Sequence, residues 1–129
     1  MKKLILILTL PFSILVFSLP SYAEWTKIGE NVKGNTFYVD FERIRKQGGY
    51  VYWWDLNDLL KPDKDGDLSY TIYTQGDCKL FRYKSLSEVY YKQNMGKGTP
   101  STNTQKNPQW EHPPPNSMVE SILKEVCSR

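Results

Sequence analysis

The chain has one histidine and two cysteines in 129 residues, and beyond its N-terminal stretch it has no long apolar run. With His112 alone, and with neither Gly-x-Ser-x-Gly nor His-Glu-x-x-His present, no motif assembles a hydrolase triad or a zinc site. No Cys-x-x-Cys pair offers redox chemistry, and zinc would want four clustered ligands. A strong charge of either sign is missing too. Lys2 and Lys3 lie in the N-terminal stretch, so of 17 Lys+Arg the remainder sets 15 against 14 Asp+Glu, a balance of +1. That excludes the clustered basic face a nucleic-acid binder needs. The length admits one domain. No catalytic residue, cofactor or metal is expected.

What is present begins with an address. Met1-Lys2-Lys3 is a positive start, Leu4 to Leu19 is apolar, Pro20 breaks the run, and Ser21-Tyr22-Ala23 supplies small residues for cleavage. The apolar run is shorter than the ~20 residues of a bilayer span. Residues 1–23 therefore read as a signal peptide, and 24–129 as a single exported domain in the periplasm or at the cell surface. No cysteine lies near the cleavage site, so no lipid anchor is expected.

In an oxidising compartment an even cysteine count implies pairing. Cys78 and Cys127 stand 49 positions apart, and closing a loop of that size is worth roughly 4 kcal/mol in the chain-entropy model.

Strand patterns fill most of the domain: 24–29, 36–40, 50–57, 68–75, 78–85 and 86–92, with 41–46 charged and ambiguous. Gly76-Asp77 reads as a tight connection, and 61–67 as a polar turn. Short turns without intervening helices imply an antiparallel sheet. In 50–57, Tyr50, Tyr52, Trp54 and Leu56 share one face, and Val51, Trp53, Asp55 and Asn57 the other. Ser117-Met118-Val119-Glu120 has capping-box spacing, and Val119, Ile122, Leu123 and Val126 then form one helical stripe. Cys127 falls on that same face, so a Cys78–Cys127 bond would tie the helix to the sheet. The fold class is α+β: about six antiparallel strands with a C-terminal helix packed on one face and tethered by a disulfide.

Aspartates 63, 65 and 67 resemble a calcium loop only superficially, because the glycine comes fourth and the twelfth residue is Thr74. Aromatics make up 14% of the chain, and only one face of strand 50–57 can meet the helix. An aromatic left outside is an interface candidate. Segment 95–116, rich in Gly, Pro, Thr and Asn, is long for so small a domain, which marks it as functional or as a connector. Its Trp110 should anchor on the sheet or meet a partner. Candidate partner-binding residues are Trp53, Arg82, Lys84, Trp110 and His112.

Several segments carry a family resemblance: Tyr38-Val39-Asp40 with Arg43, Tyr50-Val51-Tyr52-Trp53, Gly76-Asp77-Cys78-Lys79, and the C-terminal Pro115-x-Ser117, Ile122-Leu123, Val126-Cys127. With these the chain resembles the surface-adhesin protein E family of exported bacterial proteins, from Trp25 to Cys127. The resemblance implies a six-stranded antiparallel sheet whose helix is tethered to the concave side. It also implies a surface-exposed adhesin that binds host matrix proteins and can form a homodimer. The family's namesake is a lipoprotein, and this chain has no lipidation cysteine. The expected function is a non-catalytic binding module that recognises a host matrix or envelope protein through the sheet face and loop 95–116. The alternative is a periplasmic accessory or inhibitor protein acting on an envelope component.

Overall fold

The computed structural model describes residues 23–129. Its strands are β1 (Thr26–Glu30), β2 (Thr36–Val39), β3 (Arg45–Gln47), β4 (Tyr50–Asp58), β5 (Ser69–Asp77), β6 (Arg82–Tyr91) and β7 (Ser101–Thr104), followed by helix α1 (Met118–Cys127). They form one antiparallel sheet in the order β1-β2-β4-β5-β6-β7. β2 pairs with the C-terminal half of β4 and β3 with its N-terminal end. This is the expected α+β architecture. The expected signal peptide lies outside the described residues except for Ala23. Among the described residues no helix is long and apolar enough to cross a membrane.

The helix lies on the less aromatic side of β4. Val51 and Trp53 meet Ile122, Leu123 and Val126 in the core, with Val39 beside them and Met118 and Cys127 packed against it. The helical stripe thus buries as its spacing predicts. Cys78 and Cys127 are bonded, with Cα atoms 5.7 Å apart. Leu56, on the opposite side, is fully buried as well. Its cover is the short turn Asn94–Gly96, where a Cβ on Gly96 would sit 3.8 Å from the Leu56 Cδ1.

Two strand boundaries differ from expectation, and side chains account for one of them. Gly76-Asp77 ends β5 instead of forming the turn, and the turn is Cys78–Phe81. The Asp77 Oδ1 accepts the backbone N–H groups of Lys79 and Leu80, each at 3.1 Å, which folds the chain back immediately after the strand. Phe81 completes the reversal at φ 52°. Gly76 pairs with Val51 and Tyr83 within the sheet, and only glycine fits there, since a Cβ would come within 2.7 Å of the Trp53 ring. From Arg82 the chain runs on without a break, so the two segments expected at 78–85 and 86–92 are a single strand. A register shift opposite Tyr73/Thr74 absorbs one extra residue. In addition, the ambiguous segment yields β3 and the long loop yields β7.

Candidate functional site

The sheet face turned away from the helix is built from alternate residues of four strands. Arg45 stands opposite Tyr52 and Gln47 opposite Tyr50, so these share a face. Tyr52 and Trp54 meet Tyr73 of β5 at ring-centroid distances of 6.1 and 4.9 Å. On β6, Arg82 and Lys84 lie two residues apart and therefore on one side of the strand. The result is a continuous, half-exposed band of tyrosine and tryptophan flanked by cations.

Segment 95–116 completes this band. Its start is pinned: the Ser69 hydroxyl donates to the Gln93 carbonyl at 2.6 Å and accepts from the Gly96 N–H at 2.9 Å. β7 then pairs with β6. Further on, Glu111 exchanges backbone hydrogen bonds with Tyr83 at 2.9 and 2.8 Å. That pairing aims Trp110 at the aromatic face. The Arg82 guanidinium and the Lys84 ammonium lie 4.4 and 4.3 Å from its ring centroid, and Tyr50 lies 5.5 Å away. Each contact is an attractive cation–π or aromatic pair. Arg82 is also held from below by the Asp77 Oδ2 at 3.0 Å. The Leu80 N–H foremost, and then Arg82, keep the Asp77 carboxyl below the usual carboxylate range.

Of the residues singled out in the sequence, Arg82, Lys84 and Trp110 come together in one cluster. His112 is exposed two positions past Trp110. Trp53 does not belong with them, which corrects the expectation: it is 0% exposed in the core, and its Nε1 donates to the Asp55 Oδ1 at 2.6 Å. Position parity decides this, because an odd-numbered residue of β4 faces the helix.

Asp55 is the residue that sequence reasoning passed over. It lies beneath α1, with the Thr74 hydroxyl donating to its second oxygen at 3.1 Å. Burial, opposed by these two hydrogen bonds, pushes its carboxyl up to about 7. The available signal was its parity with Trp53 on a strand whose helix-facing side should have been apolar. Burial likewise raises the Tyr83 phenol, helped by Glu111 and then Asp55.

Asp63, Asp65 and Asp67 each bring one carboxylate oxygen within 4.8 Å of the others, so they are the residues that could hold a cation. The Lys92 ammonium already stands there, 3.0 Å from the Asp67 carboxylate and 2.7 Å from the Asp65 carbonyl. The Asp63 Oδ1 also accepts the backbone N–H groups of Asp65 and Asp67 at 2.9 Å, so the loop is organised by its own groups.

A single antiparallel sheet with a disulfide-clamped helix on one side and a half-exposed aromatic face on the other defines the class: a small α+β domain. The family described as surface-adhesin protein E matches residues 25–128, and the chain belongs to that family; it is an adhesin-like surface protein. Its fold is similar to that of Haemophilus influenzae protein E. One crystal form aligns over 84% of this chain and 91% of that one, at 14% identity and a TM-score of 0.65. A second structure of that protein covers 84% and 87%, at 14% identity and a TM-score of 0.61. Protein E from non-typeable Haemophilus influenzae covers 84% and 78%, at 14% identity and a TM-score of 0.59. None of the curated proteins matches the chain in sequence.

The family-bearing segments have physical roles here. Asp40, 1% exposed, accepts the Glu42 N–H at 3.1 Å and pairs with the Arg43 Nε at 2.6 Å, closing the turn after β2. Gly76-Asp77-Cys78-Lys79 combines a close approach to Trp53, the Asp77 turn and the disulfide. Both motifs hold the sheet together.

Proposed function

We propose that the chain is an exported, non-catalytic binding module that recognises a protein partner, a host matrix or envelope protein, through the aromatic sheet face and the segment that carries Trp110. The observation that carries this reading is the seating of Trp110 on Arg82, Lys84 and Tyr50. Half-exposed tryptophan, tyrosine and arginine, held against the sheet, are residue types that supply most binding energy at protein interfaces. The pinned ends of segment 95–116 support a positioned contact surface, since a preordered loop loses less entropy on binding. The family supports an adhesive role. Self-association through the edges of β1 or β7 is a further route to avidity.

Immobilised matrix and envelope proteins, titrated with the chain from Glu24 onward, test the reading. Trp110→Ala should weaken saturable binding at least about tenfold while leaving the thermal transition within a few degrees of the parent. Lys84→Ala should weaken binding less, and most at low salt. Equal binding by folded Trp110→Ala protein would sink the assignment of this face. Cell fractionation separates surface display from a periplasmic accessory role.

A further inference from the structure

The helix side of the sheet holds a cavity of about 180 Å³ whose lining, among the described residues, contains two carboxylates and no Lys, Arg or His. Asp55 forms its floor and Glu111 stands at the exposed rim, with Tyr83 on β6 between them. Phe37, Ile72 and Val119 make apolar walls. At the ~30 Å³ that each water takes in the liquid, the space holds about six non-hydrogen atoms. The cavity shares Ile72 with a wider groove of about 790 Å³ that continues over Tyr70 and Tyr90.

Asp55 is anomalous for a structural residue. It is 8% exposed, and its two hydrogen bonds come from neutral donors, Trp53 and Thr74. Among the described residues no cation pairs with it, although a buried carboxylate is ordinarily paired. Its oxygens satisfy the buried Trp53 indole N–H and the Thr74 hydroxyl, a task a neutral amide acceptor could perform without the cost of burying a carboxylate.

We infer that this cavity is a receptor for an alkylammonium group, the terminus of a lysine-like side chain or of a free amine. An ammonium presents three donors on a compact centre. The cavity sets three acceptors around one space: the carboxylates of Asp55 and Glu111 and the Tyr83 phenol oxygen. The apolar walls match the methylene stem, and Phe37 adds an aromatic ring beside the charge. Ionised Asp55 is the binding form, so affinity should rise with pH until that carboxyl is fully charged. The titratable groups facing Asp55 are Tyr83 on β6 and Glu111; β2 offers Phe37, β5 Thr74 and Ile72, and α1 only Val119 and Ile122. The site lies on the opposite side of the sheet from the Trp110 face, so either assignment can fail without the other.

Calorimetric titration of the chain from Glu24 onward at pH 8 tests the inference, with n-butylammonium, cadaverine and a blocked Gly-Lys-Gly peptide as probes and n-butanol as the neutral control. Saturable binding with a Kd of about 1 mM or tighter is expected for the ammonium probes and none for butanol. Tighter binding by the peptide assigns the occupant to a partner chain running along the wider groove, and tighter binding by cadaverine assigns it to a free amine. Asp55→Asn keeps the shape and should weaken binding at least about tenfold. Glu111→Gln, at the exposed rim, should weaken it several-fold and carries the test if the first variant does not fold. Affinity should fall up to tenfold per pH unit below pH 7. No saturation by any ammonium probe, equal binding of butanol, or unchanged affinity in both folded variants would overturn the proposal.

Discussion

Asp55 shows how one buried side chain sets a pH response. Its carboxyl moves from the ordinary 3.8 to about 7 on folding, because burial disfavours the charge more than Trp53 and Thr74 favour it. An acid with a higher pKa in the folded state stabilises the fold while protonated. That contribution is complete below about pH 3.8 and is lost as the pH rises through 7. Urea unfolding of the free protein should therefore show an Asp55-dependent decline, on the order of 4 kcal/mol between pH 4 and 8. Asp55→Asn should remove this slope and be more stable than the parent at pH 8. Gly76 carries a steric constraint of the same local kind. A Cβ added there would come within 2.7 Å of the Trp53 ring, 3.0 Å of Val51 and 3.1 Å of Leu123. Gly76→Ala should cost about 1–3 kcal/mol by overpacking, read as a lowered thermal midpoint.

Elements differ in how openly their boundaries are written. The start of α1 is local: the Ser117 hydroxyl accepts the Glu120 N–H at 3.2 Å and donates to the Pro114 carbonyl at 2.6 Å. Glu120 reaches back to the Asn116 N–H at 3.4 Å, one residue short of the reciprocal capping-box bond, because the Ser117 N–H donates to the Pro114 carbonyl. Ser117→Ala should destabilise the protein by about 1 kcal/mol, measurable as a lower denaturant midpoint at unchanged slope. The end of β5 is less legible. Gly-Asp normally signals a turn, yet Gly76 pairs with both Val51 and Tyr83 inside the sheet, and the Asp77 side chain folds the chain back over Cys78–Phe81. β7 is harder still: Ser-Thr-Asn-Thr has no apolar alternation, and it is a strand only because β6 offers it a free edge.

For the whole molecule the decisive link is covalent. The bond between Cys78 and Cys127 joins the β5–β6 turn to the last residue of α1, across 49 positions of chain. Reduction, or replacement of both cysteines by serine, should cost roughly 4 kcal/mol and lower the midpoint of thermal unfolding well below that of the oxidised protein. The helix is also held at this end by Val126 in the core, by the Lys46 ammonium on the Arg129 carbonyl and by the Arg129 guanidinium 3.9 Å from the Phe41 ring centroid. Its loss would expose Trp53, Val51 and Asp55 together. The aromatic face and the ammonium cavity occupy opposite sides of one sheet, with Arg82, Lys84 and Trp110 on one side and their chain neighbours Tyr83 and Glu111 on the other.

The amino-acid order alone determined the strand-rich domain, the amphipathic terminal helix, its cap and the pairing of the two cysteines. Each of these follows from local periodicity, spacing or composition, which act along the chain. The tertiary structure decided which face of β4 the helix covers, and with it that Trp53 is core and Tyr50, Tyr52 and Trp54 are surface. It also decided that Trp110 meets Arg82 and Lys84, and that Asp55 is buried with no cation beside it among the described residues. Both faces of β4 carry aromatics, so hydrophobic alternation could not choose between them. The choice fell to shape: Gly76 opens room beside Trp53, and Leu123 fits into it.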